Sequence, residues 1–94
     1  MNTRAGDDEA ARIEATQATL EAAARDAGFW MSADGRVGEA DAATLLGYAP
    51  GTLSRKRAEG DGPRCYRMGG GGYRVTYRLH ELARYIETAF DAAP

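Results

Sequence analysis

The chain is poor in the residues that staple or metallate a small protein. It has one cysteine, Cys65, and one histidine, His80. A single thiol excludes an internal disulfide, and one thiol with one imidazole falls short of a Cys/His metal site. Only three prolines interrupt its 94 residues, so long helical runs are allowed. No apolar run approaches the roughly 20 residues of a membrane span, and the polar start does not read as a signal peptide. A cytoplasmic location follows as the expectation. Catalytic patterns are missing too. There is no nucleophile–base pair and no phosphate loop, since Gly69 to Gly72 lacks the Lys-Ser/Thr ending and lies between two strand-like runs. The expectation is a binding protein without cofactor, not an enzyme.

What is present is ordinary globular material, 44% hydrophobic and 28% charged, enough for one domain with a modest core. The net charge of −2 disfavours nucleic acid until its distribution is read. Residues 1–28 carry three arginines against six carboxylates, net −3. Residues 52–78 carry seven cations against two carboxylates, net +5. A positive field gathered on one segment suits a phosphate-facing surface; a solvated basic face is the plainer alternative.

Taken in order, residues 1–6 read as a frayed end, and Asp7 or Asp8 caps a helix over 7–27. Ile13, Gln17, Leu20, Ala24 and Ala27 form its narrow apolar stripe, suited to docking on the domain or, less favoured, to pairing with another chain. Phe29 to Met31 reads as a short strand with Trp30 in the core, and Ser32 to Gly35 as a turn. Residues 38–60 read as a helix-turn-helix. Gly38 is the N-cap and Val37 its staple against Ala42. Ala42, Ala43, Leu45 and Leu46 make the buried face, Gly47 the stop. Pro50 opens a second helix whose Thr52, Ser54, Arg55 and Lys56 point outward.

Residues 64–78 read as a hairpin. Tyr66 and Met68 in its first run, and Tyr73, Val75 and Tyr77 in its second, are assigned to the core; Arg67, Arg74, Thr76 and Arg78 are assigned outward. The glycine tip either flexes or admits a close backbone approach. Cys65 reads as a small buried residue. A last helix over 80–90 places Leu82, Ile86, Ala89 and Phe90 inward, with Leu79 over its first turn and His80 as a structural cap. Residues 91–94 are expected to be loose.

This order of helix, short strand, helix-turn-helix, hairpin and helix is that of a winged helix-turn-helix, a mainly α fold with a small β-hairpin. Ala42-Ala43, Leu45-Leu46-Gly47, Pro50-Gly51-Thr52-Leu53, Glu59-Gly60, Gly62-Pro63, Tyr66-Arg67, Val75 to Leu79 and Leu82 to Ile86 carry a resemblance. Over residues 38–88 the chain resembles the MerR-like winged DNA-binding domains of the excisionase and AlpA-like regulator type. It departs in having Ala49 where relatives cap with Ser or Thr, and Lys56 where they place an apolar residue. No effector domain follows the last helix, so effector sensing is not implied.

The resemblance implies sequence-specific binding of double-stranded DNA, in transcription regulation or as an architectural factor of a phage or mobile element. The second helix would enter the major groove. Gly51 and Thr52 would meet the backbone, Ser54 and Arg55 base edges, and Lys56 and Arg57 flanking phosphates. Arg67, Arg74 and the tip glycines Gly70 and Gly71 would lie along the backbone as a wing. One such domain reads a short site, so a homodimer or cooperative copies are expected on DNA. The alternative is a protein-interaction module on the same scaffold, favoured by the negative total charge and the acidic first helix.

Overall fold

A computed structural model describes residues 5–68 and 74–90, with side chains from Asp8 onward. Among these residues the chain is mainly helical, with four helices and a three-stranded antiparallel sheet. The elements are α1 (Ala5–Ala27), β1 (Arg36–Gly38), α2 (Glu39–Leu46), α3 (Thr52–Ala58), β2 (Tyr66–Met68), β3 (Arg74–Arg78) and α4 (Leu79–Thr88). No helix among the described residues is long and apolar enough to cross a membrane. Of the end expected to fray, residues 1–4 lie outside the described residues, as do 91–94 and the glycine tip with Tyr73; residues 5 and 6 belong to α1.

Helix α1 begins at Ala5, so Asp7 and Asp8 fall inside its first turns and do not cap it. It docks on the domain as its stripe implied. Leu20 and Ala24 are buried, while Ala27 at the end of the stripe is exposed. Its main neighbour is α4. Arg12 Nε and Thr16 Oγ1 both donate to the Glu87 carboxylate, at 3.2 and 2.6 Å. The Arg12 guanidinium also lies 4.6 Å from the Phe90 ring centroid. Phe90 is not in the core: α4 stops at Thr88, which leaves the ring exposed. Nor does His80 cap α4. Arg78 holds the N-cap position, and exposed His80 faces Gln17 at 3.3 Å.

The first strand is not 29–31 but Arg36–Gly38. It pairs with β3, placing Val37 against Tyr77; both are fully buried. Ser32 N–H donates to the Arg36 carbonyl at 2.9 Å, closing the turn that leads into β1. Val37 thus joins Ala42 in the core from a strand rather than as a helix staple.

Two turns set the angle between α2 and α3. Gly47 ends α2 in the left-handed conformation, at φ 78°. The next turn is Ala49-Pro50-Gly51-Thr52, in which Thr52 N–H donates to the Ala49 carbonyl at 3.1 Å. Gly51 has φ 88° and ψ −18°, the third position of a type II turn with proline second. Pro50 therefore belongs to the turn, and α3 starts two residues later than the proline alone suggested. Gly51→Ala should cost about 1–2 kcal/mol from the backbone alone, because no heavy atom stands within 4 Å of an added Cβ. Thermal melts check this; an unchanged midpoint would mean the turn relaxes.

Candidate nucleic-acid interface

Seven residues in α3 give roughly 10 Å of helix at about 1.5 Å per residue. Leu53 anchors it, 1% exposed in the core. With Leu53 pointing in, the 100° step of a helix turns Ser54, Arg55 and Ala58 outward, and these three are exposed. The remaining two cations turn back toward the body. Lys56 lies on the domain side, 5.9 Å from the Tyr48 ring centroid and 3.8 Å from Asp61. It is thus not the outward residue its position in the basic run suggested. Arg55 pairs with Glu59 at 3.6 Å across one turn of exposed helix, a contact worth little in water.

Arg57 is tied most firmly. Its Nε and Nη2 donate to the two Glu39 carboxylate oxygens, at 2.7 and 3.1 Å. The buried Tyr77 hydroxyl donates to Glu39 Oε2 at 2.8 Å. One carboxylate at the start of α2 thereby joins α3 and β3. Hydrogen bonding from Arg57, against the opposing effect of burial and helped by Tyr77, holds the Glu39 carboxyl below its ordinary range. The same contact raises Arg57, and burial followed by Glu39 raises Tyr77. Glu39 escapes a linear reading because its partners lie 18 and 38 residues away. Its only sequence signal is a carboxylate in the first turn of a helix.

The hairpin has a different register from the one its alternation suggested. Tyr66 stands opposite Thr76, Arg67 opposite Val75 and Met68 opposite Arg74. Directly opposed residues share a face. Tyr66 and Met68 therefore join Arg74, Thr76 and Arg78 on the outer face. Arg67 takes the face of Val75 and Tyr77. The two wing cations expected together, Arg67 and Arg74, lie on opposite faces of the sheet. Thr76, expected outward, is fully buried, because Arg36 Nη1 donates to its hydroxyl at 3.0 Å and covers it.

Arg74 lies over Trp30, 4.2 Å from the ring centroid. Trp30 is 41% exposed, a surface aromatic and not the core residue expected. Arg74 also borders one cleft with Arg57, Gly38, Glu39 and Asp41, so the ends of α3 and the hairpin approach each other there. Cys65 is half-buried beside the core. Gly51 and Thr52 sit at the start of α3, while Gly70 and Gly71 lie outside the described residues.

Fold and site together define a mainly helical class, in which two helices joined by a tight turn stand beside an antiparallel hairpin. No family model, curated protein or solved structure matches the chain.

Proposed function

We propose that the chain binds double-stranded DNA as a winged helix-turn-helix, with α3 as the groove-reading helix and β2–β3 as the wing. The observation that carries this reading is the outward face of α3. Ser54, Arg55 and Ala58 are exposed on a helix anchored from behind by Leu53 and short enough to lie across a groove about 12 Å wide. Small residues beside one arginine let the helix backbone approach the base edges. Arg55 is the base reader, since its fork matches guanine O6 and N7. Exchanging Glu59 for a base costs it little. Arg57 is a positioning residue that orients α3 through Glu39, and phosphate contact falls to Arg74. The biological role that suits so small a reader is a transcriptional regulator or an excisionase-like architectural factor, acting in the cytoplasm as a dimer or as cooperative copies on DNA. It binds and does not catalyse.

The test is selection of duplexes from a random pool, followed by titration of the selected duplex over a range of salt. Affinity should fall steeply with salt. Arg55→Ala should lose about 5- to 150-fold on the selected sequence and little on unrelated duplex. Equal weakening on every sequence would move Arg55 to the phosphate contacts.

A second reading, a protein-interaction module, is favoured by one observation. Each α3 cation faces a carboxylate: Arg55 with Glu59, Lys56 with Asp61 and Arg57 with Glu39. That pairing reduces the field α3 offers to phosphate. Failure to shift any duplex at low salt would favour this reading.

A further inference from the structure

We infer that the outer face of the sheet is a second binding surface, one that takes single-stranded nucleic acid by stacking unpaired bases on Trp30 and Tyr66. The surface is built by the strand order. Gly38 is opposite Thr76, and Thr76 is opposite Tyr66, so these three form one row across the sheet. Arg74, on the same face of β3 and beside Gly38, lies over the Trp30 ring and so places the indole at this face. Phe29 and Met31, on either side of Trp30, turn into the core, and the alternation of an extended segment sends the indole out.

Both rings carry an arginine. Arg74 stands 4.2 Å from the Trp30 centroid and Arg78 4.9 Å from the Tyr66 centroid. Gly38 lies beside the first of these: an added Cβ would be in ordinary contact with Arg74 Nη2, at 3.6 Å. Arg36 fills the space between, its Nη1 on Thr76. The face therefore holds three guanidinium groups against one carboxylate, Asp34, which is shared by Arg36 and Arg78. That charge balance calls for an anionic occupant.

Geometry selects its kind. Trp30 lies under Arg74 and Tyr66 under Arg78, which stand four residues apart on β3, about 13 Å at about 3.3 Å per residue. The two rings are too far apart to sandwich one ring, so each serves a separate base of an extended strand. A guanidinium plane lying on an aromatic ring is itself a platform for a base. Duplex bases are stacked on one another and offer no free face, whereas unpaired bases do. Aromatic rings alternating with cations along a face are the general arrangement for sequence-tolerant single-strand binding.

The surface does not use the exposed residues of α3, but it shares strands β2 and β3 with the wing of the duplex reading, and Arg74 is the residue assigned a role in both. The experiment therefore avoids Arg74. Trp30 is the sole tryptophan, so titration of the full chain with a short oligothymidylate should quench its fluorescence saturably, less at high salt. With a labelled oligothymidylate, Trp30→Ala and Tyr66→Ala should each bind about 5- to 150-fold more weakly. Trp30→Phe, which keeps a ring, should restore most of the loss. Arg55→Ala, which weakens duplex binding, should bind oligothymidylate as the natural chain does, so that failure here leaves the duplex reading standing and failure of the duplex reading leaves this one testable. The inference is overturned if oligothymidylate does not quench Trp30, or if folded Tyr66→Ala and Trp30→Phe both bind as the natural chain does while Trp30→Ala is lost with its fold. It is equally overturned if polyglutamate binds as tightly with the same dependence on Trp30, an outcome that would make the face a dock for acidic protein.

Discussion

Leu53→Ala is expected to lower the unfolding free energy by about 2–5 kcal/mol, the range for emptying a buried leucine site. Leu53 is the one residue of α3 that is fully buried. The helix has seven residues, too few to persist in water without packing. Truncation removes the attachment of α3 to α2 as well as apolar burial. In a small domain with a total stability of about 5–15 kcal/mol, that is a large share. Urea unfolding should move to a lower midpoint with an unchanged slope if the whole domain remains cooperative. A smaller slope would mean that α3 has detached before the rest unfolds. Leu53→Met keeps the volume and should cost less than about 1.5 kcal/mol. If Leu53→Ala melts with the natural chain, the core does not hold α3 as described.

Glu39→Ala should cost about 2–3 kcal/mol, because it strands two partners at once. The buried Tyr77 hydroxyl loses its acceptor, and Arg57 loses a two-point contact that is only about one-fifth exposed. For a chain of this size the melting midpoint should fall by about 10–20 °C. Glu39→Gln keeps an acceptor for Tyr77 and should lose less. pH separates the charge from the packing. The folded carboxyl titrates below its ordinary value of 4.5, so its stabilisation is complete above that pH and is lost as pH falls through the lowered value. Melting points of the natural chain and Glu39→Gln should therefore differ at neutral pH and converge in acid. A gap that persists at low pH would assign the effect to shape instead of charge. Asp34, lowered to about 2 by the Ser32 hydroxyl and then by Arg36, is present in both proteins, so its titration cancels in the difference.

The double role of Glu39 also bears on the proposed DNA binding. By joining α2, α3 and β3 it fixes how α3 stands against the sheet, which in that proposal is the angle between reading helix and wing. Its loss should weaken duplex binding beyond what the fraction of folded protein explains, since two rigid elements would then have to be ordered on binding.

The amino-acid sequence by itself determined the four helices and the two paired strands after them in their order, but not the first strand, which is Arg36–Gly38 and not 29–31. Periodicity marked the helices, with Leu20 and Ala24 or Leu82 and Ile86 turned to the core, though Ala89 and Phe90 of the last stripe are exposed. Gly47 fixed the end of α2 because the left-handed conformation is cheap only for glycine. Pro50-Gly51 fixed the turn before α3 through a type II geometry that few other pairs allow. These are local effects, settled within a few residues of chain. Tertiary structure decided which faces the charges take. A strand has two faces and a slip of one residue exchanges them, so alternation alone could not say that Tyr66 shares a side with Arg74 and that Arg67 does not. Nor could a run of three cations say which would be spent inside the molecule. Arg57 is spent on Glu39 because packing brings a carboxylate 18 residues away within 2.7 Å, and Trp30 stays at the surface because residues 29–32 lie outside β1. Such outcomes depend on partners distant in the chain, whose approach is set by the packing of the whole core.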